Sequence, residues 1–247
     1  MVDVSRGPHA YLPRTLVLWD VDHTLIENGG VSKATYVRAF ELLTGRVPEV
    51  RPKTDGRTDF QIMRELLTAN SVDATSFTQI GQFENVLKSA MEEKAPELPE
   101  RGHVLPGVIE SLTALSVVPA VIQSALTGNI DVNAFAKLHA FDLDKWLDLE
   151  VGGFGSDDIV RSKLVDASRR KVRAKYGLEF DRSSTVLIGD TPLDVKAAQD
   201  GDAKVIAVAT GVYTVDELAS AGADAVLESL ADLDRFAETL RVVRTSS

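Results

Sequence analysis

Hydrophobic and polar positions along this chain fall into two alternating patterns. Short apolar runs bounded by polar or turn-forming residues predict buried strands at residues 15–19, 119–124, 149–151, 185–188, 204–209 and 225–227. Between them, longer amphipathic stretches predict helices at 106–115, with Pro106 at its start, and at 129–139, 158–176, 192–199, 215–220 and 230–243. Gly177 ends the long basic helix, and Gly152 to Gly155 read as a loop. Strands alternating with helices predict an α/β fold, a parallel sheet covered on both faces. Residues 28–100 break the alternation. They predict helices only: 33–43, capped by Ser32 and ended by Gly45; 59–69, with Phe60, Ile62, Met63, Leu66 and Leu67 on one face; and 76–94. The expected organisation is a main body of residues 1–27 and 101–247, with a helical insert at 28–100. Residues 1–13, with Pro8 and Pro13, read as an arm of little regular structure.

Composition narrows the class. A chain of 247 residues with 44% hydrophobic content can bury a sizeable core, with room for a body and an insert. The formal charge of -10 argues against nucleic acid or an anionic membrane as a partner. It leaves an anionic substrate open, because a bound metal and a few local cations can reverse the field. With no cysteine there are no disulfides and no thiolate metal sites, which fits a reducing compartment. No apolar run approaches the ~20 residues that span a bilayer, and residues 1–14 contain no signal-peptide core. The expectation is a soluble cytoplasmic protein.

Chemistry gathers where the predicted strands end. The first runs into Asp20-Val21-Asp22-His23-Thr24. Two acids this close repel each other, and burial makes it worse, unless a cation neutralises them or one holds a proton. They also fit turn-forming residues at a strand end. The fourth strand runs into Gly189-Asp190-Thr191-Pro192-Leu193-Asp194. Helix capping before Pro192 accounts for Asp190 locally, but not for the parallel with the first strand. In a parallel sheet, ligands gather at the carboxyl ends of strands, so Asp20, Asp22 and Asp190 would surround one point. Three oxygen donors there suit Mg²⁺. Asp194, on the first helical turn, would orient the site from behind. The second strand runs into Thr127-Gly128-Asn129, a hydroxyl and backbone N–H groups at a helix start. This is a phosphate cradle or simply a helix cap.

In this order, these three motifs resemble those of the haloacid dehalogenase superfamily over nearly the whole chain after residue 14. The resemblance implies a Rossmann-like, three-layer core with an inserted α-helical cap, here between the first and second motifs. It also implies a cation between the second and last motifs. Arg161 fits best and Lys163 competes. Six Lys/Arg at 163 and from 169 to 175 make a solvated basic face the alternative for any one of them. Physical reading and resemblance then agree on a chemistry. Asp20 is the nucleophile toward a phosphate ester, and Mg²⁺ lies between Asp20, Asp190 and the backbone carbonyl of Asp22. Asp22 carries the leaving-group proton, while Thr127 and Arg161 hold phosphoryl oxygens.

Asp22 discriminates within the superfamily. A halide leaves without a proton, and dehalogenating members lack this second acid. Phosphonate-cleaving members also depart here and use a cap lysine, for which Lys33 and Lys53 would be candidates. In the insert, Gly56-Arg57-Thr58-Asp59 resembles a cap specificity loop. Arg57 would pair with a carboxylate or second phosphate of the substrate, or lie exposed on the surface. His23 is placed to line the entrance, and Trp19 and Trp146 to pack. The expected activity is a phosphatase of the phosphoglycolate phosphatase type, acting on a small phosphorylated metabolite. The alternatives are a phosphoglucomutase-like phosphotransferase and a catalytically silent binding protein of the same fold.

Overall fold

A computed structural model describes residues 14–54, 56–73 and 80–245. The amino-terminal arm expected at 1–13 and the expected helix start at 76 lie outside the described residues. The central sheet has six strands, all parallel, in the order β5-β4-β1-β6-β7-β8. These are β1 (Thr15–Trp19), β4 (Val121–Thr127), β5 (Gly153–Phe154), β6 (Thr185–Gly189), β7 (Lys204–Val208) and β8 (Ala225–Leu227). The first strand in sequence is thus central, between β4 and β6.

Alternation along each strand sorts residues to the two faces. Val17, Trp19, Val186, Ile188, Ile206 and Val208 pack with α5 (Val108–Ser116) and α10 (Leu233–Thr245). Leu16, Leu18, Leu187, Val205 and Ala207 pack with α7 (Lys163–Tyr176), α8 (Pro192–Asp200) and α9 (Val215–Ser220). Both faces are covered, so β1, β6 and β7 are apolar beyond their first residues rather than alternating with polar ones. Trp19 packs as expected: its ring lies 5.7 Å from that of Phe236, and Nε1 donates to Gln123 Oε1 at 3.2 Å.

The helices α1 (Val31–Thr44), α2 (Asp59–Ala69) and α3 (Ile80–Lys94) share a separate core of Tyr36, Phe40, Phe60, Met63, Leu67, Phe83 and Leu87, joined by Ile130 from the main body. A short helix α4 (Leu98–Arg101) leads back. Where the chain leaves and returns, β2 (Ile26–Glu27) and β3 (His103–Val104) pair antiparallel, so both crossings lie side by side.

Several local readings need correction. Ser32 does not cap α1; Gly30 holds that position, and the Ser32 hydroxyl donates to Asp22 instead. Pro106 precedes α5 rather than starting it. Leu149–Val151 is a tight 3-10 turn, and the edge strand falls in the glycine-rich stretch after it. Gly153 lies against the Leu164 backbone, an approach that a side chain would block. The basic helix begins at Lys163, not at residue 158, so Arg161 sits in the preceding turn.

Candidate active site

The carboxyl ends of β1, β4 and β6 converge on one small polar pocket, closed over by the insert. Its lining includes Asp20, Asp22, His23, Thr127, Gly128, Asn129, Arg161 and Asp190 from the body, and Asn28, Ser32, Tyr36, Gly56 and Arg57 from the insert. Asp20 still belongs to the sheet, since its N–H donates to the Ile188 carbonyl at 2.8 Å. His23, with φ of 60°, then turns the chain sharply, and Thr210 Oγ1 ties its carbonyl down at 2.5 Å. This turn separates the two acids of the first motif. Asp20 stays over the sheet edge and Asp22 faces the insert.

Around Asp20 the charges are buried and dense. Oxygens of Asp20, Asp190 and Asp194 lie within 4.8 Å of one another. Arg161 donates to Asp20 Oδ1 at 2.8 Å and also to Asp194 Oδ1. Asp194 serves two purposes. It closes the capping box of α8, accepting from Thr191 N and Oγ1 at 3.0 and 2.7 Å, and it pairs with Arg161. Asp190 receives the Thr24 hydroxyl at 3.5 Å. Burial pushes the Asp20 carboxyl up to about 7; Arg161 opposes this, and Asp194 and Asp22 add to it. Burial, then Asp194 and Asp20, push Asp190 well above the ordinary carboxylate range. Lys163, the rival of Arg161, has its side chain 63% exposed and pairs with Asp158.

Asp22 has a different environment. Its Oδ1 accepts from Asn28 Nδ2 at 2.9 Å and Ser32 Oγ at 3.3 Å, and its Oδ2 from Lys137 Nζ at 2.5 Å. Burial alone would raise this carboxyl. The Lys137 ammonium outweighs it, by charge and hydrogen bond, with help from His23 and Asn28, and holds Asp22 below its usual range. Sequence reasoning missed Lys137. It reads there as one more cation on the amphipathic helix α6 (Asp131–His139), yet it is buried.

Beside these, Thr127 is buried and its Oγ1 accepts from Asn129 N at 3.4 Å. Gly128 is pressed beneath the insert: a Cβ there would overlap the Arg57 carbonyl. Asp59, at the start of α2, accepts from Tyr36 OH at 2.5 Å, Asn129 Nδ2 at 3.1 Å and Ile130 N at 2.9 Å. This clasp joins the insert to the loop after β4. Arg57 lines the pocket, with its Nε 3.3 Å from Glu65.

The HAD-hydrolase-like family model matches residues 160–233, the segment carrying Arg161, Asp190 and Asp194. The likeness is to haloacid dehalogenase-type hydrolases, over less than half of this chain. Across the chain, it is 24% identical over 235 residues to "Probable phosphatase IndB" of Dickeya dadantii (strain 3937), covering 94% of this chain and 97% of that one. Among solved structures, a predicted phosphatase from Clostridium acetobutylicum matches with a TM-score of 0.64 at 16% identity, over 93% of this chain and 99% of that one. CbbY from Rhodobacter sphaeroides, in complex with phosphate, matches with a TM-score of 0.61 at 19% identity, over 90% and 96%. These likenesses show a shared fold over nearly the whole chain, α1 to α3 included.

Proposed function

We propose that this chain is a member of the haloacid dehalogenase superfamily, a Mg²⁺-dependent phosphatase that hydrolyses the phosphate ester of a small metabolite through an aspartyl-phosphate on Asp20. The observation that carries the reading is the burial of Asp20, Asp190, Asp194 and Arg161 together at the edge of the central strand, in a small polar pocket. The donor set fits the metal. Three buried carboxylates face a single guanidinium, leaving surplus negative charge, and every donor is a hard oxygen. Asp20, Asp190 and the backbone carbonyl of Asp22 would hold Mg²⁺. Bound there, it cancels the repulsion between the nucleophile and an anionic phosphoryl group.

The chain's own residues account for the rest. An Asp20 oxygen attacks phosphorus as the ester P–O bond breaks, and Asp22 delivers a proton to the leaving oxygen. Asp22 then takes a proton from water, whose oxygen attacks phosphorus and frees Asp20. Lys137 holds the Asp22 carboxyl by charge and hydrogen bond, and at the end of the cycle Asp22 carries the proton taken from water. Arg161 has a buried Nε with no partner among the described residues, a donor available to a phosphoryl oxygen. Thr127 Oγ1 and the backbone amides of Gly128 and Asn129 bind the other oxygens. Arg57 meets the remainder of the substrate, and the small pocket supports a short, polar one. Proton delivery by Asp22 suits an alkoxide leaving group and has no use in halide loss.

Release of inorganic phosphate from a panel of phosphorylated metabolites, with and without Mg²⁺, tests the reading. Asp20→Asn is expected to lower kcat at least ~10³-fold. Metal-independent turnover, or turnover surviving Asp20→Asn, would sink it. A phosphorylated sugar product in place of free phosphate would identify a phosphotransferase instead. No chloride release is expected from a 2-chloro acid.

A further inference from the structure

Lys137 is the most deeply buried lysine among the described residues, with 1% of its side chain exposed. Burying an ammonium is costly unless something specific receives it. Here Nζ reaches Asp22 Oδ2 at 2.5 Å and Asn129 Oδ1 at 2.7 Å. The second Asp22 oxygen is held from the opposite side by Asn28 and Ser32. The carboxylate is therefore gripped at both oxygens, by the body through α6 and by the insert through α1 and the loop before it. Asn129, which receives Lys137 on its oxygen, passes its nitrogen to Asp59 in the clasp. This grip fixes the rotation of the Asp22 side chain.

We propose that Lys137 is a positioning residue for proton transfer: it aims the Asp22 carboxyl at the leaving oxygen, and afterwards at the attacking water. The proposal rests on the phosphatase reading. Its signature is selectivity between leaving groups. An alkoxide must be protonated as it departs, whereas a nitrophenolate departs unaided. A residue that merely supports the fold would affect both substrates alike.

The test compares wild type, Lys137→Met and Lys137→Gln on glycerol phosphate and p-nitrophenyl phosphate with Mg²⁺. Because kcat/KM reads only the steps up to phospho-enzyme formation, it should fall about 100-fold for the alkyl ester and less than about 5-fold for the aryl ester. Water attack is common to both substrates, so kcat for the aryl ester should fall together with its KM. Asp22→Asn should show the same pattern, and adding Lys137→Met to it should cost no more than about 2-fold further. Lys137→Gln retains a donor of similar reach and serves as readout if the methionine variant does not fold. Equal losses of kcat/KM on both esters, or no loss on either, would overturn the proposal. A wild type inert toward both esters and toward the metabolite panel would instead overturn the phosphatase reading itself.

Discussion

Asp20 and Asp190 are carboxyls that resist ionising in this fold. Burial raises both above the ordinary carboxylate range, Asp20 to about 7. Only well below the ordinary Asp value of 3.8 do folded and unfolded chains hold these protons alike. As pH rises toward 7 the unfolded chain gives them up first, so ionisation progressively works against the fold. On the proposed reading, a divalent cation would reverse this by binding the ionised form. Saturating Mg²⁺ at 100 times its Kd adds about 2.7 kcal/mol, a rise of roughly 5–10 °C in Tm for a chain of this length. The rise is expected to be larger at pH 8 than at pH 5.5, and scanning calorimetry at the two values checks the sign. Gly211 offers a second handle. A Cβ there would overlap Asp190 Oδ2 and press on His23. Gly211→Ala should displace Asp190 and weaken Mg²⁺ binding at least ~10-fold while leaving the far-UV circular dichroism unchanged, as titration calorimetry would show. At this scale, the strand-end acids were legible because packing alone seldom ends an apolar run in charge. Lys137 was not. A lysine on a polar-looking helix face carries no mark of burial, and its partner lies far away in sequence.

Among the elements, the strands of the sheet centre were read best. Both faces of the sheet are buried, so residues 15–19 and 185–188 show unbroken apolar runs with abrupt ends. The edge was read worst. Gly153–Phe154 has two residues and a glycine required by the backbone of α7, so neither length nor propensity announces a strand. Similarly, the segment before Lys163 is acidic and helix-compatible, but Arg161 is drawn out of helical register into its buried ion pairs. Helix α2 shows how an element end becomes a joint. Thr58 and Gln61 form its capping box, leaving the Asp59 carboxylate for Tyr36, Asn129 and Ile130. Asp59→Ala would leave three buried donors without an acceptor. A loss of about 3 kcal/mol is expected in urea unfolding, with faster proteolytic cutting of the insert. Asp59→Asn, which retains one acceptor oxygen, should lose less.

For the molecule as a whole, the alternation of strands and helices disclosed the covered parallel sheet, and the interruption at 28–100 matches α1 to α3, which share a core of their own. The antiparallel pairing of β2 with β3, which brings the two crossings together, was hidden because each strand has only two residues. The position of β1 carries a consequence for how the protein is made. The strand that bears Asp20 leaves the ribosome before both of its neighbours, residues 121–127 and 185–189. Until those are synthesised, an apolar ribbon remains unpaired on both edges, while the helical segment that follows it can already collapse around its own core. Closing such distant contacts is slow. Until both neighbours emerge, this apolar strand stays uncovered and open to off-pathway association.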